Sequence, residues 1–154
     1  ELHHFTKSID VNYLGVTNCL MPLTAAMAAR GAGQIAVVAS VAGYCGLPKS
    51  AYYGPTKAAL NNLCQSLQPD LQRMGLKLQV INPGFVRTPM TDRNDFPMPF
   101  LLEPEAAVAK ILNGLTGDRF EIAFPWQLVT ILKLARILPS GLFLWLIKKL
   151  GTTK

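Results

Sequence analysis

Two short runs constrain the fold more than anything else in the chain: "QIAVVAS" at 34–40 and "LKLQVIN" at 76–82. Both are apolar and rich in β-branched residues without polar alternation, the pattern of strands buried on both faces in a parallel sheet. Between them, residues 51–73 place Ala59, Leu60, Leu63, Leu67 and Leu71 on one helical stripe, which supplies the crossover that parallel strands require.

The remaining segments repeat the alternation. From about Phe5 to Ala29 the residues Ile9, Tyr13, Val16, Leu20, Leu23 and Met27 recur at helical spacing, and Pro22 is expected to kink or break that helix. "VAGYCGLPKS" (41–50) is a loop by its Gly and Pro content, and "INPG" ends the second strand at Pro83-Gly84. Residues 85–102 hold no period and read as a long loop, a class that is usually functional. Its Met90, Phe96, Met98, Phe100 and Leu101 form either an apolar lid or core filler. "EPEAAVAKILNGL" starts a helix with Pro104 in its first turn, and "RFEIAF" (119–124) is the last strand. The order helix, strand, helix, strand, helix, strand indicates an α/β fold with a parallel sheet.

Half of the 154 residues are hydrophobic and the mean hydropathy is +0.26, enough for a cored domain and too apolar for a disordered chain. The formal charge of +6 could point to nucleic acid, but its distribution argues against that partner. Residues 1–121 carry 10 Lys/Arg and 9 Asp/Glu, whereas Lys133, Arg136, Lys148, Lys149 and Lys154 follow with no acid among them. A basic apolar tail fits a membrane surface or a protein partner better than DNA. Cys19, Cys45 and Cys64 are odd in number and lack metal-type spacing, so reduced thiols in a cytoplasmic setting and no metal are expected.

"AYYGPTKAAL" (51–60) sets two tyrosines ahead of a lysine. On a helix, Tyr53 and Lys57 share a face, with Cβ atoms roughly 5–6 Å apart, while Tyr52 would face Thr56. A nearby cation favours phenolate and brings a tyrosine toward general acid/base work. The spacing alone is also what chance supplies. Its context is more telling. Ser40 ends the first strand, and ligands in open α/β sheets sit beyond the carboxyl ends of strands.

"ASVAGYCGLPKSAYYGPTKAAL" followed by "INPGFVRTPM" resembles the short-chain dehydrogenase/reductases, single-domain Rossmann oxidoreductases that use NAD or NADP. The resemblance covers about residues 5–125 and implies a doubly wound parallel sheet. "DVNYLG" is similar to the segment whose Asn holds a water chain to the lysine, giving Asn12. "SVAG" gives Ser40, which the resemblance casts as the group that hydrogen-bonds the substrate oxygen. Tyr53 corresponds to the proton donor or acceptor, and Lys57 to the residue that lowers its pKa and binds ribose hydroxyls. "NPGFVRT" resembles the turn that holds the nicotinamide, involving Pro83, Gly84, Val86 and Thr88. The implied reaction is hydride transfer between a nicotinamide and a carbonyl or alcohol carbon, with NADP placed slightly ahead of NAD. The implied partners are a small substrate, lipophilic if the loop is an apolar lid, and a second copy of the chain through the first two helices.

The glycine-rich phosphate turn of such enzymes is missing, and "RGAGQ" (30–34) precedes a strand rather than following one. The chain is therefore expected to be the C-terminal part of a longer enzyme, inactive alone, with residues 1–125 as a partial Rossmann domain and 126–154 as a helical extension. In that extension the uncharged stretches 122–132 and 137–147 each contain a proline and are shorter than the ~20 residues a bilayer span needs. They read as two short helices joined at Pro139-Ser140-Gly141. Capping a pocket, packing on a second subunit and lying in a membrane interface all remain open for residues 126–150. A non-catalytic binding module is accordingly the alternative to an oxidoreductase.

Overall fold

The structure is a computed structural model and describes residues 2–151. Glu1 and the tail residue Lys154 lie outside the described residues. A first helix, α1 (Leu2–Ile9), passes through a π-helical turn (Asp10–Leu14) into α2 (Gly15–Arg30). Then follow β1 (Gly33–Val38), a 3₁₀ turn (Val41–Gly43), α3 (Tyr53–Arg73) and β2 (Leu76–Pro83). After the long loop come α4 (Pro104–Thr116), β3 (Glu121–Phe124), α5 (Trp126–Arg136) and α6 (Ser140–Gly151).

The strands form one parallel sheet in the order β1-β2-β3. Ile35 lies opposite Leu78 and Val38 opposite Ile81; on the other side of β2, Val80 meets Glu121 and Pro83 meets Phe124. β2 is buried on both faces, as its continuous apolar run demands. β1 differs from expectation. Ile35 and Val37 are buried, whereas Gln34, Ala36 and Val38 are exposed, because β1 is an edge strand and the described helices cover only one of its faces.

One face of the sheet packs against α2 and α3, where Leu20, Ile35, Val37, Leu60, Cys64, Leu78 and Val80 form the main core. Burying each large side chain is worth about 1.5–3 kcal/mol. The opposite face carries Ile81, Ile122 and Phe124 against Ala107 of α4. A third cluster joins Leu128 and Leu132 of α5 to Val41 and Tyr44 of the loop after β1. Cys19, Cys45 and Cys64 are free thiols.

Pro22 does not interrupt its helix. The irregularity sits earlier, where the amide of Gly15 donates to the carbonyl of Asp10, five residues back. Such π turns occur often at functional sites, and this one carries Asn12. The two tail helices form with Pro139 between them. α5 buries Leu128 and Leu132, but α6 has no buried side chain among those described and exposes Leu142, Leu144 and Trp145. No helix among the described residues is long and apolar enough to cross a membrane.

Candidate active site

Because β1 and β2 run parallel and in register, the chain leaves both at the same sheet edge. The regular strand stops at Val38, two residues before Ser40, although the Ala39 amide still donates to the Ile81 carbonyl at 2.8 Å. Ser40 is extended (φ −172°, ψ 154°) and caps the 3₁₀ turn, its Oγ accepting from the Ala42 amide at 3.2 Å. The hydroxyl has one proton to donate, and it is directed to the Pro83 carbonyl at 3.3 Å. Ser40 thus joins the ends of the two strands. Gly43 lets this turn lie against α3, since a Cβ there would stand 2.6–2.8 Å from backbone atoms of Lys57 and Ala58.

Tyr53 opens α3 and is half-buried, whereas Tyr52 is 43% exposed and packs on α1, edge-on to Phe5 and tilted against His4. The two adjacent phenols therefore point to different surroundings. Lys57 is only 8% exposed. Its Nζ donates to the Val38 carbonyl at 2.9 Å and stands 5.5 Å from the centre of the Tyr53 ring. The juxtaposition follows the i, i+4 spacing, but its electrostatic result differs from expectation. Burial pushes the Tyr53 phenol up, and the lowering effect of the Ser40 hydroxyl does not offset it. Burial likewise lowers the Lys57 ammonium. Desolvation sets the direction of both shifts.

Asn12 reaches the same helix one residue earlier. Its Nδ2 donates to Thr56 Oγ1 at 3.3 Å, and that hydroxyl donates to the Tyr53 carbonyl at 2.7 Å. The direct contact of Asn12 is thus with Thr56 rather than Lys57.

At the end of β2, the Gly84 amide donates to the Phe124 carbonyl at 2.7 Å. Val86 pairs with Leu102 across the base of the 85–102 loop. Thr88 and Thr91 lock together: the Thr88 amide donates to Thr91 Oγ1 at 2.8 Å, and that hydroxyl donates to the Val86 carbonyl at 2.8 Å. Pro83 is therefore brought to Ser40, while Val86 packs against the cluster of Ile81, Ala107, Ile122 and Phe124 and the hydrogen bonds of Thr88 lie within its own loop. Phe96 of the loop packs on Phe85 at 6.1 Å, and Asp95 pairs with Lys49 at 2.7 Å. Met90 and Phe100 stay exposed, which does not suit core filler.

Sequence reasoning passed over Tyr44 and Glu121. Tyr44 Oη donates to Glu121 Oε1 at 2.5 Å, joining the Ser40 turn to the start of β3. The available signal was a single acid opening an otherwise apolar strand, a position where a carboxylate is stable only when partnered.

A family model described as short chain dehydrogenase matches residues 1–96. An uncharacterized oxidoreductase of Myxococcus xanthus is 38% identical over 135 residues, which is 88% of this chain and 53% of that protein. The Escherichia coli uncharacterized oxidoreductase YbbO is 31% identical over 87% of this chain and 55% of its own. The chain spans about half the length of the curated relatives it matches. Among solved structures, a short chain dehydrogenase of Burkholderia cenocepacia in complex with NADP shares the fold at TM-score 0.82 and 22% identity, covering 96% of this chain and 60% of that one. A short-chain dehydrogenase of Sphingobium yanoikuyae in complex with NADPH follows at TM-score 0.73 and 22% identity, covering 95% and 57%. With the model match across more than half its residues and oxidoreductase relatives above 30% identity, the chain belongs to the short chain dehydrogenase family.

Proposed function

We propose that the protein is an NAD- or NADP-dependent oxidoreductase that interconverts a carbonyl and an alcohol, with Ser40, Tyr53 and Lys57 as its catalytic residues and Asn12 in support. One observation carries this reading: a half-buried phenol lies beside a serine at a strand end, with a buried ammonium 5.5 Å from the ring. The donor set suits a nicotinamide ribose. Lys57 has three N–H donors and gives one to Val38, while Pro83, Gly84, Val86 and Thr88 frame the adjoining edge. When bound, the nicotinamide supplies or accepts the hydride. In reduction Tyr53 gives its proton to the substrate oxygen, and in oxidation it takes the proton back. The Ser40 hydroxyl turns its one proton from the Pro83 carbonyl to the same oxygen as negative charge develops there. Lys57 stabilises the phenolate left behind and Asn12 holds α3 at Thr56.

The NADP and NADPH held by the two solved neighbours make NADP the first cofactor to test. A lipophilic substrate would be favoured by the exposed Met90 and Phe100 of the loop. In this reading residues 1–125 are part of the Rossmann domain and 126–154 an extension, the enzyme works in the cytoplasm, and it assembles with a second copy through α2 and α3. In the full-length protein, Tyr53→Phe should lower kcat by ~10²–10⁴-fold, the usual worth of a general acid, while Tyr52→Phe retains most activity. Equal losses would overturn the assignment.

The exposed apolar side chains of α6, beside Lys148 and Lys149, favour a second reading in which the tail also rests on a membrane interface. Co-sedimentation with anionic vesicles, with and without residues 140–154, tests it; equal pelleting of both forms would exclude the tail as the contact.

A further inference from the structure

Glu121 is the meeting point of three elements that surround the proposed site. Its Oε1 accepts from Tyr44 Oη at 2.5 Å and from Asn82 Nδ2 at 2.8 Å, and its Oε2 pairs with Lys133 Nζ of α5. The contacts continue into the site helix. Asn82 Nδ2 also donates to Asn61 Oδ1 at 2.9 Å, and Asn61 Nδ2 donates to the Lys57 carbonyl at 3.2 Å. Tyr44 itself lies in the turn that Ser40 caps, its amide bonded to the Val41 carbonyl at 3.0 Å. Val41 and Tyr44 are covered by Leu128 and Leu132 of α5, while Gly43 abuts the Lys57 backbone. The Ser40 turn is thus clamped between α3 and α5, and one carboxylate ties the clamp together.

We propose that Glu121 is a positioning residue: through Tyr44 it fixes the Ser40 hydroxyl relative to Tyr53 and Lys57, and through Lys133 it makes α5 a working part of the site. The inference rests on the oxidoreductase reading for its catalytic readout, but the geometry it asserts can be measured without one. A carboxylate suits the role because its two oxygens accept from a phenol, an amide and an ammonium at once. Glutamine keeps the shape but replaces one acceptor by donors that face Lys133 or Asn82.

The test uses full-length protein and the variants Glu121→Gln, Tyr44→Phe and Ser40→Ala. With NADPH and a panel of lipophilic ketones, Glu121→Gln is expected to lower kcat about tenfold at nearly constant KM, as a small misplacement of a catalytic group does. In the Ser40→Ala background the same change should have little further effect, since its route is already removed. A purely structural role would instead lower activity equally in both backgrounds, and that result overturns the proposal. Hydrogen–deuterium exchange provides the independent arm. Both Glu121→Gln and Tyr44→Phe should speed exchange of the 41–44 amides severalfold while leaving the middle of α3 protected. Unchanged exchange at 41–44 in both variants overturns the clamp, whereas faster exchange in the variants of a protein whose wild type is inactive on every ketone supports the clamp and counts against the oxidoreductase reading.

Discussion

The Lys57 ammonium donates to the Val38 carbonyl while standing over the Tyr53 ring, so one side chain both fastens α3 to the end of β1 and sets the surroundings of the phenol. Removing it should therefore have two effects. Lys57→Met is expected to lower kcat/KM by about 10²-fold or more, on the scale of general acid–base contributions. It should also change how stability depends on pH. Burial holds the ammonium below its ordinary value of 10.5. The unfolded chain then binds more protons between the two values, and wild-type stability rises as pH climbs through that window. Thermal melts at stepped pH should show that rise in the wild type and not in Lys57→Met. Parallel curves would refute the shift.

The raised Tyr53 phenol makes a prediction about reaction direction. Tyr53 keeps its proton through the neutral range, because burial holds its value above the ordinary 10.0. In the proposed mechanism reduction uses the phenol as an acid and should be flat from about pH 6 to 9, whereas oxidation needs the phenolate and should rise across the same span. Initial rates in both directions decide this. A reduction rate that falls through neutrality would show that another influence lowers the phenol.

Gly43→Ala should damage the site without touching a functional side chain. The added methyl would meet the backbone of Lys57 and Ala58 at 2.6–2.8 Å, and backbone cannot rotate away. Either the Ser40 turn or the start of α3 must move, and shifts of about 1 Å can cost ~10²-fold in rate. Ala58→Gly in the same protein does not relieve a clash with main-chain atoms, so the double variant should stay impaired. Full activity in Gly43→Ala would show that the turn has room to spare.

These residues illustrate what the sequence disclosed and what it withheld. The parallel sheet, the helix at Tyr53 and the paired tail helices were legible because apolar periodicity and Pro/Gly punctuation are local. The Tyr53–Lys57 juxtaposition followed from helical spacing. The direction of the Tyr53 shift did not, because it depends on burial contributed by distant segments. The break at Asp10–Leu14 was expected at Pro22 instead, since the pattern marks where a helix is weakened, not where tertiary contacts choose to bend it. Glu121 and Tyr44 are separated by 77 residues, and no short-range pattern pairs them.

Acid should loosen the protein through Glu121. Burial raises this carboxyl, but hydrogen bonds from Lys133, Tyr44 and Asn82 outweigh it and hold the group below its ordinary 4.5. A depressed carboxyl contributes stability that is complete above the unfolded value and disappears as pH falls through the folded one. Wild-type melting temperature should therefore drop more steeply than that of Glu121→Gln below about pH 4.5, the unfolded value from which such linkage starts. Coincident acid limbs would remove Glu121 from the account.

Leu60→Ala offers a calibration of the core. Leu60 is fully buried between α3 and the sheet, and deletions of this kind cost about 2–5 kcal/mol. Urea unfolding of the full-length protein should show that loss with an unchanged m-value. A loss under about 1 kcal/mol would mean the site collapses around the smaller side chain.

The register between β1 and β2 carries a consequence of its own. Side chains on a strand alternate between faces, so slipping by one residue exchanges everything that a face presents. The pairing of Val38 with Ile81 therefore decides that a hydroxyl, and not the methyl of Ala39, meets the Pro83 carbonyl. A single residue inserted within 34–37 would alter no group named in the proposed mechanism and would still move Ser40 away from the Pro83 carbonyl. For this fold the length of a strand is as much a part of the chemistry as the residues at its end.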